Sequence, residues 1–240
     1  MISSSLANLA NDHHAEAPAT LQVDVIADLI CPWCYLGKRR LDDALHAVHG
    51  PSQINWYPFQ LNPEMPAQGM DFEEYLTTKF GDPQKLVPGL EELTRAGLRQ
   101  GIRFRFDRLT RVPNTLNAHR LMKLAEPEHT VASHLAEDIL RGFFEEGLDI
   151  ADQDVLAGIG EQHGLAARDI HETLEDDDSR RIVLSQEAHV RQSGVTGVPD
   201  FLINKRLLVV GAQSTENLVR VFDRAMFGDE SDQPVSDTVH

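Results

Sequence analysis

The chain has 240 residues, 41% of them hydrophobic and 25% charged, and a formal net charge of −16. That length buries a full core and permits one domain or two, while the negative charge argues against nucleic acid or an anionic membrane as a partner. No apolar run approaches the roughly 20 residues of a membrane span, so no membrane partner is expected.

Met1 to Thr20 is polar and rich in Ser, Ala and Asn. It lacks the basic stretch and continuous apolar run of a secretory signal, so residues 1–20 read as a flexible arm and the expected location is cytoplasmic. His13 and His14 within it read as solvated. Leu21 to Ile30 is apolar and β-branched, as in a buried strand. Tyr35 to His49 then places Leu41, Ala44, Leu45 and Val48 on one helical face, with Gly50 positioned to end the helix. Ile54 to Pro58 reads as a second strand. Strand, helix and strand together make a right-handed β-α-β unit with parallel strands.

From Leu61 the pattern changes. Pro63, Pro66 and Gly69 mark a loop. Asp71 caps a short helix to Phe80, and Asp82-Pro83 starts another, in which Pro88 implies a kink or break. Gly101 to Phe106 alternates apolar and basic residues and reads as locally extended. Asn114 or Thr115 caps the next helix. Val131 to Phe144 is the most apolar helix, Asp152 caps a further one, and helical pattern continues to Ser193. Val198 to Ile203 and Leu207 to Val210, joined by a turn at Asn204-Lys205, read as a hairpin. Ser214 caps a last helix that Gly228 ends, before a disordered acidic tail at 229–240. The domain expectation is 21–61 plus 194–228 as one unit and 62–193 as a helical insert.

The chemistry centres on Cys31-Pro32-Trp33-Cys34, which holds the chain's 2 cysteines. It falls at a strand-to-helix junction, with Pro32 suited to the first helical position. There the unpaired N–H groups and the positive helix end face the Cys31 sulfur and favour its anion. Two other readings compete. A zinc site needs four ligands, and no other cysteine exists to complete it; His129 and His134 have a ligand-like spacing but no convincing tie to this pair, so no metal is assigned. Two inert buried thiols are the other. The order strand, Cys-x-x-Cys, helix is that of a redox dithiol.

Asp28 through Gly37, with Cys-Pro-Trp-Cys-Tyr-x-Gly at its centre, resembles the DsbA-like thioredoxin family, most closely its cytoplasmic FrnE-like branch. Arg111-Val112-Pro113-Asn114-Thr115 with Ala118-His119-Arg120 resembles the same branch. So does Gly194-Val195-Thr196-Gly197-Val198-Pro199, with Phe201 and Gly211-Ala212-Gln213. The resemblance implies an α/β thioredoxin fold with an inserted α-helical domain. It makes Cys31 the nucleophile, Cys34 the resolving thiol, and Pro199 a cis proline against the dithiol. An incoming chain then meets Val198, with Pro32 and Trp33 as substrate contacts; Trp33 is expected to be partly exposed. His119 is a further candidate contact; it and Arg120 read either as lining the cleft between domains or as helix-surface or satisfied core residues. The chain departs from periplasmic relatives in carrying Trp33 where they have histidine, and Val25 at the place of their buried acid; Asp24 and Asp28 are the candidate replacements. The implied activity is thiol–disulfide exchange or isomerisation on protein or small-molecule thiols and disulfides. No cofactor is implied, and glutathione is a candidate co-substrate. Two alternatives stay open: a glutathione-dependent kappa-type isomerase or transferase, against which the intact cysteine pair counts, and a redox-sensing chaperone or binding module. Substrate, redox direction and oligomeric state stay unassigned.

Overall fold

A computed structural model describes residues 20–228; the expected tail at 229–240, and all of the expected arm except Thr20, lie outside them. β1 (Leu21–Ala27) leads into α1 (Pro32–Val48) and β2 (Ser52–Pro58). The helical segment opens with β3 (Met70–Asp71), α2 (Phe72–Phe80), a tight turn at Pro83–Leu86, and α3 (Val87–Arg99). It continues through β4 (Arg111–Val112), α4 (Leu116–Ala125), α5 (His129–Arg141), α6 (Gln153–Gln162), α7 (Ala167–Glu175) and α8 (Asp177–Gln192). β5 (Asp200–Ile203), β6 (Leu207–Val210) and α9 (Thr215–Phe227) complete the described chain.

The sheet order is β2-β1-β5-β6. β1 and β2 are parallel, with Leu21 opposite Ser52 and Ala27 opposite Pro58. β5 runs antiparallel to β1 and β6 antiparallel to β5. This is a thioredoxin-like α/β fold with a helical insertion after its second strand.

Two apolar cores meet at the head of α1. Val23, Val25, Leu41 and Phe201 pack with Leu218 and Phe222 beneath α1 and α9, and Cys31 and Cys34 belong to that core. Ile30, Tyr35 and Leu36 belong instead to the core of the helical segment, with Leu121, Leu135 and Ile139. The Cys31–Cys34 turn therefore lies on the seam. Ion pairs reinforce the seam further along α1: Lys38 pairs with Asp42 at 2.6 Å and Glu137 at 3.0 Å, and Arg39 with Glu137 at 2.6 Å.

Several local expectations are corrected. α1 ends at His49, which takes the left-handed conformation (φ 49°), rather than through Gly50. Gly101–Phe106 is irregular rather than extended. Its alternation serves packing, with Ile102 and Phe104 buried and Phe104 close against Gly97, where a Cβ would lie 2.6 Å from the ring. The apolar run 131–144 is not one helix; α5 stops at Arg141 and a wider π-type turn spans Gly142–Glu146. The short β3–β4 pair inside the 61–115 region was not visible as strands, since two residues carry no alternation.

Candidate active site

Cys31 is the N-cap of α1 and Pro32 its first residue, so the helix begins without a side-chain cap and without an acid in its first turn. The free N–H groups there are available to an anion. The Cys31 thiol donates to the Val198 carbonyl at 3.7 Å, and the Val198–Pro199 bond is cis. Gly37, one turn beyond Cys34, lets this segment approach: a Cβ there would lie 3.1 Å from Pro199 Cγ and 3.2 Å from Phe201 Cζ. Cys31 and Cys34 are exposed by only 3% and 2%, so shielding scarcely separates them. Their environments do. Burial pushes the Cys34 thiol well up from its ordinary range, with a hydrogen bond to Cys31 and the charges of Cys31 and Asp28 adding to it; a backbone hydrogen bond at Asp28 only partly offsets this. Cys34 therefore rests as a thiol.

Beside Cys31 opens an apolar cleft of about 450 Å³. One wall is Ile30, Cys31, Pro32, Trp33 and Val198; the facing wall comes from α2 and α3, with Phe72, Leu76 and Leu90. Phe143 and Phe144, presented by the π-type turn, and Phe106 close its floor. Tyr35 supports that floor: its ring packs against Phe104 and Phe144 at 6.0 and 6.2 Å, and its hydroxyl donates to Glu145 Oε1 at 2.7 Å. Lys79 is the charged residue on the cleft lining, held by Asn62 Oδ1 at 2.6 Å. Trp33, at 39% exposure, stands at the rim as expected. The α2 side of the cleft went unrecognised as a site, although the spacing of Phe72, Tyr75, Leu76 and Phe80 showed an apolar helix face without an evident partner.

His119 is corrected. It does not line this cleft. It is 6% exposed and its Nε2 lies 3.4 Å from Asp28 Oδ1, because α4 packs it inward against the end of β1. Arg120 is likewise committed elsewhere, donating to Ser179 Oγ at 2.8 Å and to the Thr173 and Asp176 carbonyls at 2.6 and 2.8 Å. Asp28 is fully buried and accepts from Leu29 N at 2.8 Å and Leu61 N at 2.6 Å. Asp24 is bound to Asn55 at 2.6 Å. Of the two candidate acids, Asp28 is the one whose charge reaches Cys34. Among the described residues no cluster of three or more potential metal ligands occurs.

A thioredoxin-like sheet interrupted by helices, with Cys-Pro-Trp-Cys at the head of its first helix, defines a thioredoxin-fold protein of the DsbA-like class. The chain belongs to the family of DSBA-like thioredoxin domains, whose model matches residues 22–223. It is 24% identical over 208 residues to the uncharacterised protein YwbO of Bacillus subtilis (strain 168), covering 86% of this chain and 96% of that one. The crystal structure of a probable DsbA oxidoreductase from Streptomyces coelicolor superposes with a TM-score of 0.74 at 27% identity, covering 91% of this chain and 94% of that one. The cytosolic disulfide reductase DsbM of Pseudomonas aeruginosa, in a structure with GSH, shares the fold, with a TM-score of 0.56 at 18% identity over 85% of this chain and 95% of that one.

Proposed function

We propose that the protein is a cytoplasmic thiol–disulfide oxidoreductase of the FrnE-like branch, acting through a mixed disulfide on Cys31. The inequality of the two thiols carries this reading. Cys31 sits at an uncapped helix start, against the Val198 carbonyl and open to the cleft. Cys34 is held protonated by burial. A substrate disulfide meets Cys31 first; Cys34 then attacks the Cys31 sulfur and releases the second substrate thiol. The apolar cleft favours substrates whose disulfide is flanked by hydrophobic groups, with Pro32, Trp33 and Val198 as contacts. Glutathione is the proposed co-substrate that returns the dithiol to its resting state. A cytoplasmic location accords with a chain whose 2 cysteines are both committed to this site.

The test is a pair of variants. Cys31→Ser should abolish exchange with a peptide disulfide, because a serine hydroxyl is not ionised near neutral pH. Cys34→Ser should accumulate a covalent adduct visible by mass spectrometry. Adducts on Cys31→Ser with an inert Cys34→Ser would reverse the roles, and unchanged exchange in both would end the enzyme reading.

A further inference from the structure

The loop after β2 borders a second cavity, of about 380 Å³, which shares no lining residue with the cleft beside Cys31. Its size falls in the range of about 300–1,000 Å³ usual for ligand sites. Gln60, Glu64 and Met65 line it from the loop, Asn117 from the start of α4, and Arg180 and Leu184 from α8.

Three features of this cavity call for a ligand with an acid group beside an amide. The first is Gln60, which is 2% exposed and whose side-chain amide makes no hydrogen bond among the described residues. Its backbone N–H donates to Glu187 Oε1 at 2.8 Å and its carbonyl accepts from Arg191. The side-chain amide is therefore the polar group that Gln60 presents to the cavity. Burying an amide without a partner is unfavourable, and a ligand group that both donates and accepts relieves it.

The second feature is the start of α4. This helix has no acid in its first turn, and its N-cap Thr115 makes no side-chain capping bond. Asn114 Oδ1 takes the Leu116 N–H at 2.9 Å. The N–H groups of Asn117 and Ala118 have no partner among the described residues, and they carry the positive end of the helix. Asn117 Oδ1 accepts from Arg120 at 3.0 Å, which leaves Asn117 Nδ2 as a donor. The third feature is Arg180. It is exposed, and its guanidinium has no ion pair or hydrogen bond among the described residues. The exposed Glu64 carboxylate borders the same cavity. It repels a doubly charged ion such as phosphate more than a single carboxylate.

We propose that this cavity binds the carboxylate end of a short peptide. The carboxylate meets the N–H groups at the start of α4 and the planar fork of Arg180. The peptide group before it pairs with the Gln60 amide, which both donates and accepts. Met65 and Leu184 supply apolar contact for small side chains. No thiol takes part, so the site is separate from the dithiol and its chemistry.

Nuclear magnetic resonance titration of the full, nitrogen-15-labelled chain tests this. The probes are N-acetyl-Ala-Ala, its C-terminal amide, and inorganic phosphate. The free acid should shift the side-chain amide signals of Gln60 and Asn117. The C-terminal amide should bind about tenfold more weakly or worse, because it forfeits the charge-assisted bonds. Arg180→Gln alters an exposed residue and should fold. It should weaken the acid about tenfold and change binding of the amide by less than about twofold. Equal affinity for acid and amide would overturn the proposal, as would an Arg180→Gln variant that binds the acid like the native protein. So would phosphate binding as tightly as the acid, which would leave only a general anion site. Shifts confined to the cleft around Trp33, or no binding at about 10 mM peptide, would overturn it too. The titration involves no thiol exchange, so its outcome stands whatever Cys31→Ser and Cys34→Ser show.

Discussion

On the cleft side, Cys31 faces Trp33, Val198 and an aromatic floor of Phe106, Phe143 and Phe144. One turn along the same helix, Cys34 lies in the core with Val23, Leu41 and Phe201, and burial is the first of the causes that raise its pKa. The two sulfurs are almost equally hidden, at 3% and 2% exposure, so accessibility alone does not assign their roles. What separates them is the medium each one meets. The apolar side holds a substrate and excludes water, which strengthens the pull of the helix start on a developing thiolate. Burial, with Cys31 and Asp28 adding to it, keeps Cys34 a neutral thiol. A dithiol at the seam of two cores obtains both environments within one helical turn.

The sharpest way to break this contrast is to make the cleft polar. Leu90 lies on α3, half-buried on the cleft lining, so Leu90→Gln should fold. Withdrawing one apolar contact of about 1.5–3 kcal/mol from a bound hydrophobic group should raise KM for an apolar-flanked peptide disulfide about tenfold to a hundredfold. Exchange with glutathione, a hydrophilic tripeptide, should change by less than about twofold. Equal losses for both substrates would show that the cleft does not select substrates.

A smaller effect is expected at Gly37, which sets how near the Val198–Pro199 segment comes to Cys31. An added methyl at 3.1 Å from Pro199 and 3.2 Å from Phe201 crowds both. Overpacking costs about 1–3 kcal/mol, and replacing a helical glycine by alanine returns about 1 kcal/mol. Gly37→Ala should therefore shift the melting temperature by only a few degrees yet slow attack by Cys31 severalfold by displacing the Val198 carbonyl. A lower melting temperature with an unaltered rate of Cys31 attack would reduce Gly37 to a packing role.

The sheet and the dithiol were legible because their signals are local. β1 is a continuous apolar run, Pro32 marks a helix start, and Cys31 and Cys34 fall one turn apart. Asn204 and Lys205 both take positive φ (47° and 55°) in the turn that the hairpin pattern required. The cleft was not legible, because its walls come from α2, α3 and the π-type turn, far apart in sequence. Each contributes an apolar face whose partner only tertiary packing reveals. Between the two readings of His119, cleft contact or core residue, only the packing of α4 decides, since it buries the ring with Nε2 3.4 Å from Asp28 Oδ1. Asp24 and Asp28 looked alike as strand-end acids, and only their partners, Asn55 for one and the Leu29 and Leu61 amides for the other, told them apart.

The smallest effect concerns Asp200, directly after Pro199. It is 5% exposed, its Oδ1 is buried without a partner, and burial raises its pKa while a hydrogen bond with the Gly211 backbone only partly offsets this. A carboxyl whose folded pKa exceeds its unfolded one binds its proton more tightly when folded, so its contribution to stability is fully present in acid. It is lost as pH rises from the unfolded value through the folded one. Asp200→Asn keeps an oxygen for the Gly211 interaction and removes the charge. Relative to the native protein, the variant should gain stability on going from acid to neutral pH, by about 1 kcal/mol on the scale of a buried unpaired polar group. Denaturant melts at both pH values measure this directly. If the difference between the two proteins is the same in acid and at neutrality, the Asp200 charge is satisfied by a partner in the folded state. If the difference instead shrinks toward neutrality, the sign is reversed, and Asp200 belongs with the stabilised carboxylates such as Asp138, which Arg141 and His163 hold below the usual range against the upward pull of burial.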